Sequence, residues 1–184
     1  LSQNEWTINP TYSNSYNYSE YGGALFIELS KKMERFGFKA GIRVEYTKLR
    51  GYSNSLNKEF IDSSYLLPFP NLSILFEPNE KIGITLFYNS GIDRPQFSNF
   101  DPFIRKQDSL SIVYGNPYLL PSFEHSMGIE VDLFYAYNLS LTYNHTNKPT
   151  SELSFIKKGS FVQETTPWNA LKEQGAEASL SIPI

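Results

Sequence analysis

The sequence predicts an all-β protein whose strands form part of an antiparallel transmembrane β-barrel. Three observations predict it. Apolar and polar residues alternate with period two along most of the chain. Short and long connections between the alternating segments take turns. Aromatic residues are abundant, with 13 Tyr, 14 Phe and 2 Trp, yet no apolar run approaches the length of a membrane helix. Such a helix needs about 20 apolar residues in succession. The longest run here is of the kind Leu133–Tyr137. A barrel strand meets lipid only with every second residue, so mean hydropathy stays low.

The alternation is cleanest from Phe36 to Thr47. Phe36, Phe38, Ala40, Ile42, Val44 and Tyr46 share one face, and Gly37, Lys39, Gly41, Arg43, Glu45 and Thr47 the other. A helix would scatter these side chains around its circumference; a strand sorts them. Before it, Tyr21, Leu25, Ile27 and Leu29 oppose Gly22, Ala24 and Glu28, with Phe26 as an exception. After it come Leu72, Ile74 and Phe76, then Ile82, Ile84, Leu86 and Tyr88. Met127, Ile129, Val131 and Leu133 follow, then Leu139, Leu141 and Tyr143, and last Ala176, Ala178, Leu180 and Ile182. These segments predict seven strands, at 20–31, 35–50, 62–77, 81–91, 122–134, 137–157 and 160–183.

Short polar turns fall at Lys31–Arg35, Glu77–Glu80, Tyr135–Tyr137 and Lys158-Gly159, and long connections at about 51–62 and 92–121. Short periplasmic turns and long extracellular loops are the barrel habit. Residues 1–19 read as an extracellular lead-in, and 20–184 as barrel wall. Seven strands entering at one surface and leaving at the other would have two bare edges in lipid, which is costly. The chain therefore reads as an excerpt of a larger barrel. No basic start or apolar core precedes the first strand, so no signal peptide is expected within it.

Several function classes lose support at this level. A formal charge of −3 gives no electrostatic reason to expect nucleic acid as a partner. There are no cysteines, hence no disulfide or thiolate metal site. His125 and Asp132 are an odd number of residues apart and face opposite sides of a strand, and His145 has no carboxylate at ligand spacing. Neither a metal site nor a cofactor is expected. No nucleophile turn or phosphate-binding loop is present either, so the chain does not read as an enzyme.

Four segments resemble a known family. Gly41-Ile42-Arg43-Val44-Glu45-Tyr46-Thr47 resembles the G-x-R-x-E-x-T strand of the Bacteroidota outer-membrane β-barrel family, which belongs with the TonB-dependent receptors. Pro68-Phe69-Pro70-Asn71-Leu72-Ser73 is similar to its F-P-S strand start. Asp93-Arg94-Pro95 with Phe100-Asp101-Pro102-Phe103 resembles its N-R-P…L-N-P-F loop, and Gly115-Asn116-Pro117-Tyr118-Leu119-Leu120-Pro121 its G-N-P-x-L-x-P signature. The order matches from about Tyr18 onward; Gly91 and Ser122 depart from the family's Arg and Glu. The resemblance implies a barrel of about 22 strands in the outer membrane of a Gram-negative bacterium. It also implies a plug domain in the lumen, energised uptake of a solute too large for porins, and a TonB contact through segments absent from this sequence. A surface lipoprotein would be a further partner.

Candidate site residues follow from the loops and the polar faces. Arg94, Phe103, Asn116 and Trp168 are candidates for contact with plug or ligand, although turn chemistry alone accounts for the Pro- and Asn-containing elements. Lys39, Arg43, Glu45, Glu130 and Asp132 are expected to face the lumen, as in any hydrated barrel interior. Tyr12, Tyr16, Tyr18, Tyr46, Tyr52 and Trp168 are expected at the outer girdle, and Phe36, Phe38, Phe134, Tyr135 and Tyr137 at the inner one. Two rival readings remain. One is a soluble β-sandwich that holds glycans on exposed aromatics, whose apolar faces would share one dry core. The other is an outer-membrane barrel serving as adhesin or assembly platform.

Overall fold

A computed structural model describes residues 15–54 and 57–183. The expected lead-in over residues 1–14, Tyr12 included, and residues 55 and 56 lie outside them. Seven strands form one antiparallel sheet: β1 (Tyr16–Lys32), β2 (Phe36–Ser53), β3 (Lys58–Asn79), β4 (Ile82–Asp93), β7 (Ser122–Leu133), β8 (Tyr137–Asn147) and β11 (Lys172–Ser181), in that spatial order. Between them lie a helical turn α1 (Phe97–Phe100) and the short strands β5 (Arg105–Lys106) and β6 (Ser111–Val113). With β9 (Thr150–Ile156) and β10 (Gln163–Asn169) these strands make a second sheet, ordered β5-β6-β10-β9.

The register carries the alternation across the whole sheet. Ile27 lies opposite Ile42 and Ile42 opposite Pro70; farther along, Leu86 faces Ile129, Ile129 faces Leu141, and Leu141 faces Ala178. Directly opposed residues share a face. One face is therefore apolar through all seven strands. The other takes Glu28, Lys39, Arg43, Thr85, Glu130, Thr142 and Glu177. Among the described residues nothing covers the apolar face: Leu25 is 82% exposed, Leu29 70%, Leu66 65% and Leu180 61%. A sandwich would have buried these side chains against a second sheet.

The buried cluster sits on the polar face instead. Leu49 and Ile61, near the far ends of β2 and β3, pack against Phe100 and Leu119 from the segment joining β4 to β7. That segment folds back over the sheet at the end opposite the short turns. Tyr18 joins the cluster, its ring 5.9 Å from Phe100 and 5.4 Å from Phe97, and Tyr16 lies 5.7 Å from Phe97. Both tyrosines belong to the polar face, which corrects their assignment to a girdle. They stand an even number of residues from Glu20, and so share its side of the strand.

The structure changes four boundaries. Tyr16 to Ser19 belong to β1, not to a lead-in loop. The long connection expected at 51–62 is mostly ladder: β2 and β3 pair as far as Ser53 with Lys58, with an irregularity at Gly51/Tyr52. The strand expected at 137–157 is broken into β8 and β9, because Lys148 adopts φ 55° and Pro149 offers no ladder donor. The strand expected at 160–183 is broken correspondingly at Ala170 and Leu171. Lys148 N donates to Leu171 O at 3.2 Å and Ala170 N to Pro149 O at 2.9 Å, so the two chains leave the wall together. The β9–β10 hairpin then pairs in parallel with β6. The connection expected as a loop at 92–121 is thus partly ordered by a hairpin distant in sequence.

The turn at Phe134-Tyr135 has φ values of 55° and 61°, the left-handed pair of a type I′ turn. Asn and Gly usually fill such positions. Two aromatics here cost about 1–3 kcal/mol each in backbone strain. They are 58% and 81% exposed, so packing within the chain does not offset it.

Candidate functional site: the polar face and the segment folded onto it

Strand β2 presents Lys39, Arg43, Glu45 and Thr47 on one face, with Gly41 between the first two. Of these, Glu45 is the pivot, its side chain only 11% exposed. Arg43 Nη2 lies 2.9 Å from one of its oxygens, and Arg94 Nη2 lies 2.6 Å from the other. Arg94 also donates from Nη2 to Thr47 Oγ1 at 3.2 Å and from Nε to the Tyr65 hydroxyl at 3.2 Å, with Glu20 at 3.7 Å. Burial works against the Arg94 cation, but the hydrogen bonds it donates to Glu45 and Tyr65 outweigh that and hold its pKa above the ordinary value. Arg94 therefore fastens the start of the β4–β7 segment to three strands of the wall. A bidentate-capable guanidinium suits a site of several oxygens better than an ammonium would.

Below this clamp the polar face holds a hollow of about 700 Å³. Lys39, Arg43 and Glu130 line it together with Phe26, Phe69 and Phe87. The Arg43 guanidinium stands 5.5 Å from the Phe69 ring centre, within cation–π range. Lys39 Nζ pairs with Glu28 at 3.1 Å. Asp132 lies nearer the short turns and accepts from Asn138 Nδ2 at 2.8 Å. All five residues expected on the polar side stand on one face, but neither Glu45 nor Asp132 lines the hollow.

The loop candidates divide. Asn116 is a fastener: its side chain donates to Pro167 O at 3.3 Å and accepts from Tyr118 N at 3.0 Å. Gly115 N donates to Asp101 O at 2.8 Å, and a Cβ there would sit 2.5 Å from that oxygen, so only glycine admits this approach. The two loop motifs are thus bound to each other. Phe103 is half-buried beside them, its N–H donating to Asp101 Oδ1 at 3.2 Å. Trp168 lies on β10 in the second sheet, 56% exposed, away from the wall's aromatic rows.

Sequence reading missed Glu20, Thr47 and Tyr65 as partners of Arg94, and missed a second charged cluster. Glu164 on β10 is buried, 2.8 Å from Lys157 Nζ and 3.0 Å from the Tyr114 hydroxyl. The Lys157 hydrogen bond, aided by Tyr114, holds its carboxyl below the usual range against the opposing effect of desolvation. A lone Glu in a polar strand gives no sequence signal for such a pairing. Among the described residues no group of His, Asp and Glu is arranged to hold a metal. His125 lies on the apolar face and Asp132 on the polar one, as their spacing requires.

A sheet that is greasy on one side, charged on the other, and covered on its charged side by its own connecting segment is the wall of an outer-membrane β-barrel. The chain belongs to the outer membrane protein beta-barrel family, whose model matches residues 1–184. Its place is the outer membrane. Its fold is similar to that of the Serratia marcescens hemophore receptor HasR, solved with its hemophore HasA and heme, at a TM-score of 0.70 and 13% identity. It is similar also to the siderophore receptor PirA from Pseudomonas aeruginosa, at 0.55 and 14%, and to the FrpB iron transporter from Neisseria meningitidis, at 0.56 and 17%. These matches cover 90%, 93% and 94% of this chain but 32%, 41% and 25% of those proteins. The chain thus spans well under half of each. None of the curated proteins matches it.

Proposed function

We propose that this chain is part of the wall of a TonB-dependent receptor that imports a solute too large for porins. The observation that carries the reading is the Arg94 clamp. It draws the β4–β7 segment onto the polar face at one end of the sheet, where it would narrow the passage of the closed barrel. The apolar face then meets lipid, and Lys39, Arg43, Glu45, Glu130 and Asp132 line the lumen. The end with the long segments is extracellular and the three tight turns of the wall are periplasmic. A plug domain of the same protein would seat against the hollow at Phe26, Phe69 and Phe87, where apolar rings interrupt a hydrated wall. The β9–β10 hairpin with Trp168, Phe103 and Asn116 would meet the incoming solute or a surface lipoprotein.

The three structural relatives are receptors or transporters, two of them for heme or siderophore by their descriptions and one for iron. They support an import role and leave the solute of this protein open. The motif set supports an origin in the Bacteroidota. The test is uptake in cells that carry or lack the full-length protein. Energised accumulation of a bulky solute should disappear with the protein and with dissipation of the proton gradient. Normal assembly in the membrane with no solute lost on deletion would instead favour an adhesin or assembly role.

A further inference from the structure

The second sheet and the helical turn α1 enclose a pocket of about 340 Å³, lined from all four strands of that sheet. Arg105, Val113 and Thr165 stand opposite one another in the register, and Glu152 stands opposite Pro167, two residues along β10. They share one face of the sheet, the one turned away from Glu164 and Trp168. Much of the lining is uncommitted. Among the described residues the side chains of Ser98, Asn99, Arg105, Thr150 and Glu152 make no hydrogen bond or ion pair. Tyr114 and Thr165, by contrast, are tied to Glu164 at 3.0 Å and to Ser154 at 2.8 Å. The Thr150 hydroxyl oxygen is buried without a partner, which is costly unless a bound group supplies one.

Arg105 and Glu152 are the charged residues of the lining, and they stand at opposite ends of it. Three strands and an offset of two residues separate them, which sets their backbones roughly 16 Å apart. Side chains stand roughly perpendicular to a sheet. A ligand's own charges, each about 3 Å from its partner, would then lie about 10 Å apart. Three residues of extended peptide span about that distance. Ser98, Asn99 and Thr150 offer donors and acceptors to amide groups, and Val113 and Pro167 offer apolar surface to small side chains. A neutral saccharide would answer neither charge, and an anion alone would set itself against Glu152.

We propose that this pocket binds a short extended stretch of peptide, about three residues long, with a carboxylate toward Arg105 and an ammonium toward Glu152. Two sources supply such a pair: the ends of a free tripeptide, or an acidic and a basic side chain within a longer peptide. The site stands whatever the barrel imports. Its test is isothermal titration calorimetry of the full-length protein in detergent. The probes are tri-alanine, tri-alanine capped at both ends, a capped hexapeptide Ala-Asp-Ala-Ala-Lys-Ala, capped hexa-alanine, and maltotriose. At least one dipolar peptide should bind about tenfold tighter than its uncharged counterpart, and which one does so identifies the source. Arg105→Gln and Glu152→Gln, both at exposed positions, should each remove most of that advantage and leave the uncharged peptides unaffected. Equal binding of both dipolar peptides and their uncharged counterparts overturns the proposal. So does tighter binding of maltotriose, or an advantage that survives both substitutions.

Discussion

Leu141 and Thr142 are neighbours on β8 at one depth and face opposite ways, which makes them a matched pair for arginine substitution. Leu141 sits in the row Leu86, Ile129, Leu141, Ala178, half-exposed on the apolar face. Two residues either side, Leu139 and Tyr143 bracket it, so it lies near the middle of the apolar band. An arginine there meets hydrocarbon, at a cost of about 2–4 kcal/mol. Thr142 lies opposite Gly128 on one side and Glu177 on the other. An arginine there gains a carboxylate neighbour and water, and should change stability by no more than about 0.5 kcal/mol. Taking about 1.5 kcal/mol as a conservative difference, the folding equilibria of the two variants should differ at least about tenfold. Reversible denaturant titration of the full-length protein in thin-bilayer vesicles measures this directly. Equal costs, or a larger cost at Thr142, would refute the assignment of the faces.

Three further outcomes follow from the clamp and the loops. Arg94→Ala removes a partner of the buried Glu45 carboxylate and should cost about 1–3 kcal/mol, with faster proteolysis within 94–121; the added change E45Q should recover part of the loss, and an unchanged cleavage rate would show that the segment is held by other means. Gly115→Ala brings a methyl to 2.5 Å and 2.6 Å from the Asp101 and Asn99 carbonyl oxygens and should cost about 1–3 kcal/mol in thermal unfolding. Gly91→Ala, which meets nothing within 4 Å, serves as its control. The depressed Glu164 carboxyl contributes stability that is complete above the ordinary carboxylate value and lost as pH falls through its lowered one. Amide protection of β9 and β10 should therefore decline below about pH 4, and Glu164→Gln should flatten that dependence. The same slope in the variant would assign the acid sensitivity elsewhere.

The wall was legible because a period of two is a local property. Each strand from Phe36 to Thr47 onward announces its faces without reference to its partners, and pairing only has to bring like faces together. The second sheet was illegible for the opposite reason. Strands β5 and β6 have two and three residues, too few to show alternation, and they form only because β10 arrives from some 50 positions away. The break at Lys148-Pro149 has a local sign in the proline, and the break at Ala170-Leu171 is its counterpart across the pairing. Within the site, Arg94 was marked by its place before Pro95, but Glu45, Thr47 and Tyr65 became its partners through the stagger of three strands. Phe26 stood out in the sequence as an apolar residue on a polar face. The hollow it shares with Phe69 and Phe87 accounts for it.

This chain contains no cysteine, so single spin labels can be walked along β8 without background from the rest of the sheet. Labels at 139, 141 and 143 should collide with oxygen dissolved in the bilayer, and labels at 140, 142 and 144 with a water-soluble nickel chelate, in strict alternation. Matching accessibility of both sets to either reagent would mean that this sheet does not divide lipid from water.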